Sequence, residues 1–163
     1  MPGVRVYPGY HGYPPDAPEF AALLKLAAAA GLVVQLVVRL EDERTQHPLV
    51  KVPDVSLAPL PKLVADTPGL RLQVLNCATS PATEALVPLA RSGRVYFDAA
   101  AQEGVGVVAK LADRVGADRV VFGSHFPLFH AEAAGLKLTE AGLPPATESA
   151  IRQGNARQLL ARR

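Results

Sequence analysis

The sequence has 163 residues, of which 49% are hydrophobic and 20% are charged, and its formal net charge is +2. This composition excludes a disordered or fibrous chain, and the length predicts one globular domain over residues 1–163. Because Lys and Arg are scattered, we expect no nucleic-acid partner. The single cysteine, Cys77, excludes an internal disulfide, and the absence of a recognisable leader makes a cytoplasmic protein the expectation.

The chain opens with a predicted strand, a turn-rich loop and a helix. Residues 4–7 predict the strand, and the Pro- and Gly-rich residues 8–15 predict the loop. Asp16 and Glu19 have the spacing of a capping box, and apolar residues then recur at helical spacing until Gly31. We therefore predict a helix capped by Asp16.

The next segment, residues 32–38, is almost continuously apolar, as is typical of a strand in a parallel sheet covered by helices. The wider region 20–38 is too interrupted to predict a membrane span; polar or helix-ending residues break it at Lys25, Gly31 and Gln35. The predicted strand leads into residues 39–48, which concentrate charged side chains and His47.

Strand and helix alternate through the rest of the chain. The predicted elements are a helix within 55–66, a strand at 70–75, a helix from Ser80 to Arg91, a strand at 95–98, a helix at 107–115, a strand at 119–122 and a final helix capped by Thr147 that Gly154 and Asn155 break. Five strands separated by helices predict a parallel α/β sheet or part of a barrel.

Residues 118–127 (Asp-Arg-Val-Val-Phe-Gly-Ser-His-Phe-Pro) suggest where a site lies. The apolar run predicts a buried strand, which Gly123 and Ser124 end just before His125. Active sites of parallel α/β proteins are built at this end of the strands. His125 is therefore a candidate base near neutral pH, and the alternative is a rim histidine that is hydrogen-bonded to a neighbouring loop.

Several segments together resemble the C-terminal part of the metal-dependent amidohydrolases, in the branch that contains aminocarboxymuconate-semialdehyde decarboxylase. The matching segments are Tyr7-Pro8, residues 32–38, Pro68-Gly69-Leu70, Val95-Tyr96-Phe97-Asp98, Asp118 to Ser124, and Gly154-Asn155-Ala156. The resemblance implies a parallel-stranded partial (β/α) barrel, corresponding to the C-terminal five βα units of a TIM barrel.

The resemblance also implies a metal site, from which this sequence departs. Family members hold the metal with a His-x-His pair after strand one, with histidines after strands five and six, and with an aspartate after strand eight. The segment for the pair is missing, and Gln35, Val37 and Arg39 occupy the strand-five end where a histidine is expected. Asn76 stands in place of the strand-six histidine, and His125 stands in place of the aspartate. We therefore expect no cofactor, although His125 alone does not forbid a zinc ion.

Other polar residues have two open interpretations each. Asp98, at a strand end, could hydrogen-bond a base or pair with an arginine. His47 could bind a divalent cation with Glu41, Asp42 and Glu43, or the loop could be solvated with its arginines paired to these carboxylates. His11 and Tyr10 could line a pocket or pack in a turn. Cys77 is expected to be inert, and Asn155 to cap a helix.

These observations predict an amidohydrolase-like hydrolase or decarboxylase for a small carbonyl or carboxylate substrate, with a degenerate metal site. Its predicted catalytic residues are His125 and Asp98. Its predicted substrate-binding residues are His11, Tyr10, Arg39, His47 and Asn76. The alternatives are a non-catalytic relative that binds a small molecule, and a fragment that completes its barrel by self-association. In either case the open strand edges predict a homo-oligomer with no membrane partner.

Overall fold

The computed structural model describes residues 1–42, 44–77 and 85–161. These residues contain one sheet of five parallel strands, which are β1 Gly3–Val6, β2 Val33–Val37, β3 Arg71–Leu75, β4 Arg94–Asp98 and β5 Val120–Val121. The strands lie side by side in chain order. Successive βα units of a barrel have this order, whereas a doubly wound sheet reverses its order at a switch point.

Helices connect the strands. They are α1 Pro8–His11, α2 Pro18–Ala29, α3 Leu60–Ala65, α4 Leu86–Ser92, α5 Val107–Val115, α6 Ala131–Glu140, α7 Pro145–Ser149 and α8 Asn155–Leu160. A 3-10 turn at Ala117–Arg119 precedes β5, and a π-helical turn at Ala150–Gly154 joins α7 to α8. Within the described ranges, no helix combines the length and apolar character needed to cross a membrane.

The two faces of the sheet differ sharply, because successive residues of a strand point to opposite faces. The face that packs against the helices carries apolar residues from every strand, namely Val6, Val34, Leu36, Leu72, Val74, Val95, Phe97 and Val120. The opposite face, here called the inner face, carries the polar residues Arg5, Gln35 and Gln73 in one register across β1–β3. The face toward the helices is therefore uniformly apolar, whereas the inner face, which is the side that lines a barrel, also carries polar side chains.

The C-terminal helix α8 covers the amino end of the inner face. Leu159 packs there in a small cluster with Val33, Tyr96 and Val121. Arg71, buried at the start of β3, donates from Nη1 to the carbonyl oxygens of Leu159 and Ala161, both at 2.9 Å, and from Nη2 to the carbonyl of Gly31. Because a buried guanidinium needs several acceptors, Arg71 ties the end of the chain to the base of the sheet.

Two predictions about the starts of helices are wrong. Helix α2 begins at Pro18 after Ala17, with no side-chain cap from Asp16. Helix α7 likewise begins at Pro145, so Thr147 is inside its first turn. Proline suits the first helical position because its φ is already helical and its missing N–H would be unpaired there anyway. The start of the helix predicted from Ser80 lies outside the described residues.

The predicted break at Gly154 and Asn155, and the capping role of Asn155, are also wrong. Gly154 has helical angles of φ −61° and ψ −47°, and Asn155 continues the helix. Asn155 is only 2% exposed, and its Nδ2 donates to the carbonyl oxygens of Ala117 at 2.8 Å and Val120 at 2.7 Å. Its side chain therefore attaches the C-terminal helix to the beginning of β5. Residues 8–15 also differ from the predicted loop, because they begin with the short helix α1.

Candidate active site

Two non-glycine residues with positive φ mark the carboxyl edge of the sheet. They are Asn76 after β3, with φ 55°, and His125 after β5, with φ 54°. Asn76 Nδ2 lies 3.0 Å from His125 Nδ1 and donates to the Arg39 carbonyl at 3.0 Å. His125 Nε2 lies 2.7 Å from the Leu40 carbonyl. The two side chains thus join the loops that follow β2, β3 and β5, and non-glycine residues in this backbone region concentrate at functional sites.

These contacts determine the orientation of both side chains. Because carbonyl oxygens only accept, His125 Nε2 carries the hydrogen that bonds to Leu40, and His125 Nδ1 accepts from Asn76 Nδ2. The neutral imidazole therefore has no free lone pair. Asn76 is left with its Oδ1 buried and without a hydrogen-bond partner among the described residues. An unpaired buried acceptor costs about 1–3 kcal/mol, which makes Asn76 a strained position in this edge.

Asp98 is the ionisable group at the end of β4. Its side chain is 4% exposed, and its Oδ1 accepts the backbone N–H of Asn76 at 2.8 Å. Burial raises the pKa of Asp98 to about 6, although the N–H groups of Asn76 and Ala100 act in the opposite direction. A carboxyl group with such a pKa exchanges a proton readily near neutral pH, as general acids and bases do.

Two cavities meet at this edge, and Asn76, Ser124 and His125 line both of them. The inner cavity has a volume of about 310 Å³ and lies over the inner face; its other polar lining comes from Arg5, Tyr7, Gln35, Gln73 and Asp98. The outer cavity has a volume of about 350 Å³ and lies between the loops after β2, β4 and β5 and helix α6. Volumes of this size are at the lower end of those that hold small ligands.

Two basic residues of the outer cavity, Arg39 and Lys137, are bound to other parts of the chain. Arg39 forms an ion pair with Asp54. Lys137 Nζ donates to the carbonyl oxygens of Ala100 at 3.0 Å and Gln102 at 2.6 Å, and burial lowers its pKa. The inner cavity therefore offers the more accessible polar groups, and it is the one that contains Asp98.

The structure brings together only some of the residues predicted from sequence. His125, Asp98 and Asn76 meet, and Arg39 contributes its carbonyl to Asn76. Tyr10 and His11 line neither cavity; the exposed His11 ring lies between Tyr7 and Tyr13, with ring centroids 6.0 and 6.2 Å away.

The charged loop after β2 also lies outside the inner cavity. His47 is exposed, and its Nδ1 accepts the N–H of Leu49 at 3.2 Å. Asp42 pairs with Arg44, whose hydrogen bonds hold the pKa of the Asp42 carboxyl far below its ordinary value. Glu43 lies outside the described residues. Arg44 thus pairs within the loop as one interpretation predicted, whereas Arg39 pairs with Asp54 beyond it.

The described residues do not fit a metal site of the kind implied by the resemblance. Within residues 1–42, 44–77 and 85–161, no three His, Cys, Asp or Glu side chains come together in an arrangement that could hold an ion. Both ring nitrogens of His125 are engaged, and the Asp98 carboxylate already accepts backbone N–H groups. Zinc requires about four ligands with free lone pairs, which this set does not supply.

Sequence reasoning missed Arg5, Gln35 and Gln73 as residues of the inner cavity. Each lies in the middle of an otherwise apolar strand, between hydrophobic neighbours. A polar residue between apolar neighbours is unusual in a strand that is covered on both faces. This pattern could therefore have indicated from the sequence that these three residues line a polar cavity. What the sequence did not supply was the register that aligns the three side chains.

Gly123 offers a test of the packing around Asp98. A Cβ at this position would lie 2.8 Å from Asp98 Oδ2 and 2.9 Å from Asp98 Cβ. We expect Gly123→Ala to displace Asp98 and to lower the free energy of unfolding by about 1–3 kcal/mol, measured by urea denaturation. Gly135 on α6 has open space around its Cβ position. Gly135→Ala should therefore stabilise the helix by up to about 1 kcal/mol, and equal effects of the two changes would contradict the close contact.

Comparison with known proteins agrees with this architecture. The family model described as Amidohydrolase matches residues 1–162. No curated protein sequence matches the chain. A similar solved structure is 5-carboxyvanillate decarboxylase from Sphingomonas paucimobilis, with a TM-score of 0.74 and 12% identity, covering 100% of this chain and 59% of that one.

Two further structures have the same fold. The 2,6-dihydroxybenzoate decarboxylase from Rhizobium has a TM-score of 0.68 and 14% identity, covering 91% of this chain and 57% of that one. A TIM-barrel protein from Bordetella bronchiseptica has a TM-score of 0.73 and 18% identity, covering 96% of this chain and 56% of that one. The chain thus spans less than two thirds of each structure, and the predicted fold class, a partial (β/α) barrel, is confirmed.

Proposed function

The chain belongs to the amidohydrolase family, as the resemblance implied, and on this premise we propose that it is a hydrolase or decarboxylase of a small carbonyl or carboxylate substrate that works through Asp98 with a degenerate metal site. The observation that carries the proposal is the buried Asp98 carboxyl in the wall of the inner cavity, with its pKa raised to about 6. A group of this kind supplies a proton to a substrate without help from a metal ligand.

Decarboxylation is the reaction that this acid suits best. Protonated Asp98 would give its proton to the carbon that carries the carboxylate, the bond to the carboxyl carbon would break, and its electron pair would return to the substrate as CO₂ leaves. Asp98 would then recover a proton from water. Two similar structures are named as decarboxylases of aromatic carboxylates, which supports this choice of reaction.

In this proposal His125 and Asn76 hold the rim of the cavity in place. The neutral imidazole binds Leu40 and Asn76, and Asn76 in turn donates its backbone N–H to Asp98. His125 can accept a proton only when its contact with Asn76 opens, so its predicted catalytic role requires movement of Asn76. Asp98 needs no such movement.

The test is a turnover assay with a panel of small aromatic carboxylates, including 2,6-dihydroxybenzoate and 5-carboxyvanillate. The proposal expects CO₂ and the decarboxylated product to form in proportion to the amount of chain. Saturable binding without product for every member of the panel would contradict it and would favour the alternative of a non-catalytic relative that binds a small molecule.

We also propose that the chain is cytoplasmic and that it self-associates. Self-association is expected because, among the described residues, the edge strands β1 and β5 each have one strand neighbour and apolar side chains are exposed beside β5. Phe126 is 71% exposed in the loop after β5, next to the exposed Leu128. We expect light scattering to give at least a dimer mass, and Phe126→Ser to shift it toward the monomer.

Leu136 provides the matched control for this test, since it is also 71% exposed but lies on α6. Leu136→Ser should leave the mass unchanged. A monomer at all concentrations, or an equal effect of both substitutions, would show that the apolar loop after β5 is not an interface.

A further inference from the structure

Three polar side chains form a hydrogen-bonded row across the inner face. Arg5 pairs in register with Gln35, and Gln35 with Gln73. Arg5 Nε donates to Gln35 Oε1 at 2.9 Å, and Gln35 Nε2 donates to Gln73 Oε1 at 2.7 Å. The row therefore runs continuously from β1 to β3.

The arginine determines the direction of the whole row. A guanidinium has only donors, so Gln35 must turn its oxygen toward Arg5 and its nitrogen toward Gln73. Gln73 then uses its oxygen to accept from Gln35, and its own amide nitrogen remains as a donor. Each glutamine oxygen already accepts one hydrogen bond, and N–H donors that the row does not use remain at its two ends.

These donors face a cavity with little to satisfy them inside the chain. Among the described residues, no hydrogen bond uses the terminal nitrogens of Arg5 or the side-chain nitrogen of Gln73, and no carboxylate lies within ion-pair distance of Arg5. Arg5, Gln35 and Gln73 all line the inner cavity together with Asp98. A positively charged row of donors matches a ligand that carries negative oxygen atoms.

We propose that Arg5, Gln35 and Gln73 form an oxyanion-binding subsite, and that its occupant is the carboxylate of the substrate. The guanidinium fork fits the two oxygens of a carboxylate, and the Gln73 amide, two strands away, is a donor for another polar group of the same ligand. The identification of the anion as a substrate carboxylate rests on the proposed function, whereas the existence of the subsite rests on the geometry alone.

The test is a titration of the protein with benzoate followed by ¹H–¹⁵N NMR at constant ionic strength, with inorganic phosphate in a separate arm. We expect saturable benzoate binding that shifts the side-chain amide signals of Gln73 and Gln35. Arg5→Gln and Gln73→Glu should each weaken binding at least tenfold, because the first removes the charge and the second adds a repelling one. Arg5→Lys, which keeps the charge but loses the fork, should bind with intermediate affinity.

The matched control is Arg91→Gln, which removes an exposed arginine on α4, a helix that packs on the opposite side of the sheet from this row, and it should leave benzoate binding unchanged. Equal binding by wild type and Arg5→Gln would overturn the subsite, and so would saturation without any shift of Gln73. Tighter binding of phosphate than of benzoate would overturn the carboxylate assignment.

Turnover separates this inference from the proposed function. If benzoate binds in an Arg5-dependent manner but the wild type converts no carboxylate, the proposed function fails and the subsite stands. If the wild type converts a carboxylate at a rate and KM that Arg5→Gln leaves unchanged, the proposed function stands and the subsite is wrong.

Discussion

Replacing Asp98 by asparagine should lower kcat for carboxylate turnover about 10²–10⁴-fold, because the change removes the only proton that the proposed reaction takes from the chain. Asparagine keeps an oxygen that can accept the N–H of Asn76, so the rim should persist. The measurement is product formation under saturating substrate, with Asp113→Asn, on the exposed side of α5, as the control that should retain full activity.

The dependence of the same reaction on pH should report the pKa of Asp98. Since the proton donor is the protonated form, kcat should be highest below pH 6 and should fall about tenfold per unit well above it. A rate that rises through this range would assign the opposite role, that of a base. A residual rate in Asp98→Asn that keeps the wild-type pH profile would remove Asp98 from the reaction.

The stability of the folded chain should also decrease as the pH rises, because of the same raised pKa. The folded-state pKa of about 6 lies above the ordinary value of 3.8, so the folded chain binds more protons between these pH values and loses stability as the pH rises through them. Asp98→Asn should therefore match the wild type near pH 4 and be more stable above pH 7, by at most about 3 kcal/mol. Urea denaturation at both pH values tests this, and an inactive variant that is also unfolded would make the loss of activity uninformative about the acid.

Replacing Asn155 by alanine should have the largest effect on folding among the polar substitutions considered. It removes two hydrogen bonds and leaves the carbonyl oxygen of Val120 without its Asn155 donor, whereas the Ala117 carbonyl keeps the backbone N–H of Val120; we expect a loss of about 2–4 kcal/mol in the free energy of unfolding. The measurement is urea denaturation followed by far-UV circular dichroism.

Two further variants test whether the lost hydrogen bonds of Asn155 cause this destabilisation. Asn155→Asp keeps the shape of the side chain but replaces the donor with a negative oxygen facing two carbonyls, so it should destabilise at least as much as alanine. Gln158→Ala changes an exposed side chain on the same helix and should stay within about 0.5 kcal/mol of the wild type. A similar small loss for all three would mean that Asn155 does not attach α8 to β5.

The strands could be predicted from the sequence because each is a short run of mostly apolar residues. Residues 32–38 and 119–122 are apolar runs ended by a polar residue or by glycine, and the structure places β2 and β5 within them. Each predicted strand end lies within one residue of the observed end. The alternation of strands with helices predicted a parallel α/β sheet or part of a barrel, and the observed order of the strands agrees with the partial barrel that the resemblance implied.

The rim of the site was only partly predictable. The positions of Asp98 and His125 follow directly from strand ends, but their mutual arrangement depends on the side chain of Asn76, which joins loops that are far apart in sequence. Arg39 shows the same difficulty. The sequence suggested that its partner lies within residues 39–48, whereas in the structure Arg39 forms an ion pair with Asp54. Local pattern identifies a charge, and only the tertiary structure identifies its partner.

The row on the inner face could not be assembled from sequence for a related reason. Arg5, Gln35 and Gln73 belong to three strands, and a slip of one residue in any pairing would turn a side chain toward the helices. Asn155 was wrongly predicted to cap a helix because asparagine near glycine is typical of helix ends. In the structure its side chain points into the protein and donates hydrogen bonds to two carbonyl oxygens.

We propose that proton transfer to a carboxylate proceeds through Asp98 and that the chain holds no metal of its own. The most direct measurement is turnover of an aromatic carboxylate before and after chelation, with the metal content determined by elemental analysis. The claim predicts no stoichiometric zinc, iron or manganese, and a rate that chelation leaves unchanged. One tightly bound metal per chain that is lost in His125→Ala, together with a rate that disappears on chelation and returns with the metal, would contradict it.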